Sequence, residues 1–187
     1  MSAITPYYYN YSFEELYNYY QEITNAAQIP MLIYYLPQLA GKKVSVEEFQ
    51  KLLEIPNVIG SKYGSTDLFT FERLMAKFPD KVFMFAHDEA LAPGLTFGAK
   101  GFIGSTYNVN AKATREIITA DKEKVAKLTH QYNDYIQALI SKGWMQSLKA
   151  IIRLKNVNAG YTRKPFLHYE DSVIEKHAQE VIKKYIK

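Results

Sequence analysis

Cysteine is missing from all 187 residues. Disulfides, thiolate-bound zinc, iron–sulfur clusters and a cysteine nucleophile are therefore excluded. No apolar run approaches the roughly 20 residues that a membrane span needs. The opening stretch, Met1 to Asn10, is rich in tyrosine and carries no charged side chain, which is not the pattern of a secretory signal. These absences set the expectation of a cytoplasmic protein with no membrane partner. Arginine is also scarce, limited to Arg73, Arg115, Arg153 and Arg163.

What is present is the composition of a folded globular chain. The hydrophobic fraction is 48% and the charged fraction 22%, which excludes extended disorder. The length suits one domain or a piece of a larger one. The formal charge of +4 is uneven. Residues 1–120 hold 10 Lys/Arg against 12 Asp/Glu, whereas residues 121–187 hold 13 against 7. A basic end can meet nucleic acid or an anionic surface. Here the lysines are interleaved with Glu and Asp, and arginine is sparse. That pattern is a solvated helical face, and no nucleic-acid partner is expected.

Four short apolar runs read as buried strands: Met31 to Leu36, Val58 to Ser61, Val82 to Phe85 and Gly101 to Gly104. Each is too short for a helix, rich in β-formers, and followed by Gly, Pro, Asp or Ser. Ala3-Ile4-Thr5 reads as the end of a further strand, stopped by Pro6. Helical segments lie between the runs. Ser12 with Glu15, and Ser45 with Glu48, have the spacing of capping boxes. Asp67 is placed to cap Leu68 to Lys77, and Asp88 or Glu89 to open the next helix. After Asn108 the strand pattern stops. Helices are expected over Lys112–Thr119, Lys122–Lys142, Met145–Lys155 and Glu170–Ile186, with Gly143 placed as a helix C-cap.

Strand, loop and helix repeating in this way imply parallel strands with crossover helices. The expected fold class is therefore α/β: a partial (β/α)8 TIM barrel, about strands 4–8, followed by a C-terminal helical tail. The expected division is 1–120 for the barrel part and 121–187 for a helical extension packed on it. A whole barrel takes about 250 residues, and a part-barrel leaves strand edges unpaired and one apolar face uncovered.

Lys62 stands out. It closes the run Val58-Ile-Gly-Ser-Lys-Tyr-Gly64, at the C-terminal strand end where such barrels carry their chemistry. A desolvated lysine amine can attack a carbonyl and form a Schiff base. The alternatives are a lysine that reaches out to solvent at a strand end, or one that pairs with Asp67. Its neighbours favour chemistry. Tyr34 ends the preceding strand, Asp88 and Glu89 end the next, and Ser105 and Thr106 end the one after. Each has a plain reading as packing, cap or turn, but together they bring hydroxyls and carboxylates to one rim.

These residues fall in stretches that resemble the N-acetylneuraminate lyases. Those enzymes belong to the pyruvate-dependent class I aldolase superfamily, which includes dihydrodipicolinate synthase. The stretches are Ser2 to Tyr9, Tyr34-Tyr-Leu-Pro37 with Gly41, Gly60-Ser-Lys-Tyr-Gly-Ser-Thr-Asp67, His87-Asp-Glu89, Gly104-Ser-Thr-Tyr-Asn108 and Arg163-Lys-Pro-Phe166. The Asp-Glu pair and Gly-Ser-Thr-Tyr-Asn resemble the sialic acid branch in particular. The resemblance implies retro-aldol cleavage of N-acetylneuraminate to N-acetylmannosamine and pyruvate, without metal or cofactor. Lys62 would form the Schiff base and Tyr34 would take the C4-hydroxyl proton. Asp88, Glu89, Ser105 and Ser65 would bind the sugar chain. Tyr8 would reach a neighbouring subunit's site in a homotetramer.

The resemblance also implies that the first three strands, and a Gly-Gly-x-Thr-Gly-Glu stretch that holds the pyruvate carboxylate, lie outside these 187 residues. Smaller departures are Gly64, where some members have Thr, and Ala86-His87, where Gly-Tyr is common. Two other readings stay open: a noncatalytic polypeptide that keeps an association surface, and a related aldolase for another 2-keto acid.

Overall fold

A computed structural model describes residues 1–41 and 43–186. Lys42 and Lys187 lie outside the described residues, one within each expected span, 1–120 and 121–187. The chain forms two compact units, Met1–Ile103 and Gly104–Lys187.

The first unit alternates strand and helix. Its strands are β1 (Ser2–Ile4), β2 (Met31–Tyr35), β3 (Val58–Tyr63), β4 (Val82–Phe85) and β5 (Gly101–Phe102). Its helices are α1 (Phe13–Ala27), α2 (Pro37–Ala40), α3 (Val46–Glu54), α4 (Leu68–Lys77) and α5 (Leu91–Thr96), with a 3-10 turn at Asp88–Ala90. The strands pair in sequence order, β1-β2-β3-β4-β5, and every pairing is parallel. This is the expected run of β/α units, a partial (β/α)8 barrel.

Side-chain alternation sorts the two faces of the sheet. Ile33, Tyr35, Tyr63, Phe83 and Phe85 are buried against Leu16, Tyr20, Phe49, Leu52, Phe71 and Leu74 of the helices. An aromatic layer forms there. Ring centroids are 5.2 Å apart for Tyr35–Phe49, 5.4 Å for Tyr35–Tyr63, 5.0 Å for Tyr63–Phe71 and 4.9 Å for Phe71–Phe85. Each such contact adds about 0.5–1.5 kcal/mol beyond simple burial. Leu32, Tyr34, Lys62 and Met84 point to the other face and are only half-buried within this unit.

Local chemistry sets the helix starts. Ser12 and Ser45 form the expected capping boxes with Glu15 and Glu48. Asp67 accepts from the Thr70 amide at 3.0 Å. Such caps stabilise a helix by about 1 kcal/mol each.

The second unit is helical: α6 (Tyr107–Ile118), α7 (Lys122–Ile140), α8 (Trp144–Leu154) and α9 (Asp171–Tyr185). α6 begins five residues earlier than its sequence pattern indicates, with a kink at Asn110 (φ −136°, ψ 43°). Asparagine competes poorly as a helix former, and the Asn110 amide donates to the Tyr185 carbonyl at 3.3 Å. Gly143 does not close α7, whose C-cap is Ser141; it takes a φ of 81° and N-caps α8.

One glycine fixes how β3 passes β4. Gly60 has a φ of 156°, and a Cβ there would lie 1.8 Å from the Val82 carbonyl oxygen. The obstacle is backbone, so nothing nearby can rotate away. Gly60→Ala is therefore expected to destabilise the protein by about 3 kcal/mol. Urea denaturation followed by circular dichroism measures this; an unchanged midpoint would show that β3 and β4 do not approach in this way.

Candidate functional site

The sheet register puts Tyr34 opposite Lys62, and Lys62 opposite Met84. All three point away from the aromatic layer. The Lys62 Nζ lies over the Tyr34 ring, 3.5 Å from its centroid. Contact with the electron-rich ring face gives the long lysine side chain a defined position. Asp67 does not serve as the partner in this arrangement. Its two carboxylate oxygens accept from the amide and hydroxyl of Thr70, both at 3.0 Å, at the start of α4.

The backbone beneath Tyr34 is anchored by buried hydroxyls. Its carbonyl accepts from the Thr5 amide at 3.1 Å and from Thr5 Oγ1 at 3.3 Å. Tyr20 in α1 donates to Thr5 Oγ1 at 2.9 Å. Burial pushes the Tyr20 phenol well above its ordinary value, so it stays a protonated donor. In the next strand, Ser61 donates to the Ile33 carbonyl at 2.8 Å, also in the interior.

Gly64 begins the loop after β3. A Cβ there would meet Leu36 at 2.9 Å, the Tyr35 carbonyl at 3.1 Å and the Tyr34 ring at 3.4 Å. The residue thus lets the loop press against the tyrosine. Its amide donates to the Tyr35 carbonyl and its carbonyl accepts from Gln38 Nε2, both at 2.8 Å. Ser65 is buried, accepts from the Asp67 amide at 3.2 Å, and lies beside the Tyr63 phenol. It lines an open groove with Pro37, Gln38, Lys43 and Asp67.

Asp88 and Glu89 follow β4 in the 3-10 turn. Glu89 Oε1 lies 3.2 Å from His87 Nδ1. The hydrogen bond to His87 holds the Glu89 carboxyl below the usual range, against the opposing effect of burial. The same bond is the main cause that raises the imidazole above its ordinary value, with the charges of Glu89 and Asp88 adding to it.

Ser105 lies in the second unit, where its carbonyl accepts from the Asn108 side chain at 2.9 Å. Tyr8 is 85% exposed, with a φ of 94° that is unusual for a residue with a Cβ. It stands edge-on to Tyr9 at 4.8 Å.

The structure thus brings Lys62 and Tyr34 into contact and pairs Glu89 with His87. Thr5, Tyr20 and Gln38 escaped the sequence reading, because a buried hydroxyl and a surface amide carry no spacing signal. His87, two residues before Glu89 at a strand end, was a readable hint. Among the described residues no group of acidic and histidine side chains is placed to hold a metal. Among them, too, no helix is long and apolar enough to cross a membrane.

Parallel β/α units, with a lysine set on a tyrosine at adjoining strand ends, define a barrel-type α/β protein. The chain belongs to the dihydrodipicolinate synthetase family, whose model matches residues 1–184. It is 38% identical to the N-acetylneuraminate lyase of Clostridium perfringens, over 99% of this chain and 65% of that protein. The crystal structure of N-acetylneuraminate lyase from Mycoplasma synoviae superposes with a TM-score of 0.94 at 70% identity, covering 100% of this chain and 64% of that one. The Fusobacterium nucleatum lyase complexed with pyruvate gives a TM-score of 0.90 at 36% identity, covering 100% and 64%. The chain therefore spans about two thirds of the length of these relatives.

The hydroxyl anchor under Tyr34 is testable. Tyr20→Phe removes the donor to Thr5 and is expected to lower stability by about 1 kcal/mol. Thermal unfolding compared with wild type measures it, and an unchanged melting temperature would show that the anchor carries no weight.

Proposed function

We propose that the protein of which this chain forms all or part is an N-acetylneuraminate lyase, a Schiff-base aldolase that releases pyruvate. The observation that carries the reading is the Lys62 amine held on the Tyr34 ring at neighbouring strand ends. Membership of the family and the likeness to the lyases support it.

In this reading the uncharged Lys62 amine attacks the C2 ketone of the open-chain sugar. Loss of water leaves an iminium that draws electrons from the C3–C4 bond. Tyr34, left as a phenolate once its proton has gone to the departing water, accepts the C4-hydroxyl proton as that bond breaks and is the source of the proton later added at C3. N-acetylmannosamine leaves, the pyruvate enamine takes a proton at C3, and water hydrolyses the imine to free pyruvate and Lys62. No metal is required, since the iminium is the electron sink.

Asp88 and Glu89 are proposed to accept hydrogen bonds from sugar hydroxyls, with Ser105 as a further polar contact. Ser65 is proposed to act at the groove wall, where its ties to Asp67 and Tyr63 set the loop shape. Tyr8, exposed and conformationally strained, is the proposed contact to a neighbouring subunit's site in a homotetramer. The cytoplasm is the proposed compartment, consistent with a chain free of cysteine. A carbonyl-condensing aldolase for a smaller 2-keto acid product pair is less well supported, because its aldehyde offers few hydroxyls to the Asp88–Glu89 turn.

Trapping tests the chemistry. The whole gene product, incubated with pyruvate and borohydride, is expected to gain one reduced pyruvyl group on Lys62, read by peptide mass spectrometry. Lys62→Arg should abolish it. Tyr34→Phe should retain labelling but slow sugar cleavage by about 100-fold or more. Labelling at a different lysine, or none, would sink the assignment.

A further inference from the structure

We propose that His87 is a specificity-determining positioning residue: its buried ring holds the Glu89 carboxylate and orients it toward the sugar. The inference rests on the lyase reading above, which places Glu89 among the sugar contacts, and goes beyond it by naming what controls that contact.

The geometry carries the argument. The His87 side chain is only 15% exposed, whereas that of Glu89 is 56% exposed. A buried, fixed ring therefore holds a carboxylate that would otherwise sample many rotamers. Nδ1 meets Glu89 Oε1 at 3.2 Å. Nε2 is buried, and the Gly64 carbonyl of the loop after β3 acts on the ring. That carbonyl already accepts from Gln38 Nε2 at 2.8 Å. Segments following β2 and β3 thus meet at that carbonyl, two residues beyond Lys62, and the ring after β4 lies under its influence. The ring is also backed by Phe85, with centroids 6.1 Å apart. Movement of the histidine would reach both the acidic turn and the loop that presses on Tyr34.

Pre-ordering Glu89 lowers the entropy that sugar binding must otherwise remove. The charged groups acting on the ring are Glu89 and Asp88, both from its own turn; the β3 loop presents the Gly64 carbonyl and β4 the Phe85 ring. All the polar neighbours favour the protonated imidazole, and burial opposes it. The ion pair is therefore favoured below the ordinary imidazole value and weakens as pH rises through the raised value. Above it the neutral ring can only donate an ordinary hydrogen bond, so Glu89 is held less firmly.

The test measures binding of N-acetylmannosamine to the whole gene product by calorimetry between about pH 6 and 9, alongside borohydride trapping of pyruvate. Wild type is expected to bind the sugar about threefold more weakly at the alkaline end. His87→Phe should bind about threefold more weakly than wild type at pH 6 and show no pH dependence over the range. His87→Asn, which keeps a short amide donor, should recover affinity at high pH and also lose the pH dependence. In both variants sugar affinity should fall more than the rate of pyruvate labelling. A His87→Asn or His87→Phe curve that tracks wild type at every pH overturns the proposal. Wild type that neither labels at Lys62 nor binds the sugar overturns instead the lyase reading beneath it.

Discussion

Burial of the aromatic layer dictates which way every other residue of the sheet faces. Tyr35, Tyr63 and Phe85 are held between the sheet and helices α3 and α4, nearly without exposure. Strand side chains alternate, so fixing these three sends Tyr34, Lys62 and Met84 to the opposite face. A register slip by one residue would bury Lys62 among rings and expose Tyr63. The loss of several aromatic contacts, each of about 0.5–1.5 kcal/mol, together with the desolvation of a charge, opposes that slip. The position of the Lys62 amine is thus an outcome of packing on the opposite side of the sheet.

Packing alone sets a face, not an angle. The finer placement comes from polar contacts in the interior. Thr5, held by the Tyr20 hydroxyl, donates to the Tyr34 carbonyl, and Ser61 ties β3 to the carbonyl before it. Two glycines complete the arrangement by leaving room: Gly60 lets β3 pass against Val82, and Gly64 lets the following loop rest on Tyr34. Each would be an unremarkable small residue in another setting. Here each is required by a backbone or ring within van der Waals reach.

Much of this was legible in the residues. Short β-branched and aromatic runs separated by capping boxes specified parallel β/α units, because strand length and cap chemistry are local properties. Lys62 and Tyr34 were readable for the same reason, since both close strands and parallel strand ends share a rim. The Thr5–Tyr20 anchor was not legible, because its partners lie 15 residues apart and meet only through the crossover of α1. The early start of α6 was not legible, because the kink at Asn110 is held by the Tyr185 carbonyl, far along the chain; Gly143 N-caps α8 because α7 already ends at Ser141.

The site therefore divides by how its parts are held. Lys62 and Tyr34 sit on strands, backed by buried rings and hydroxyls, where displacement would disrupt the core. Asp88 and Glu89 sit on a short turn whose carboxylate is steadied by one histidine and reaches solvent. Bond cleavage demands placement within fractions of an ångström, which a sheet supplies. Recognition of a polyhydroxylated chain tolerates a looser and more adjustable contact. His87 immediately precedes that turn, where its ring nitrogen acts on the charge and freedom of the neighbouring acid while leaving the strands untouched.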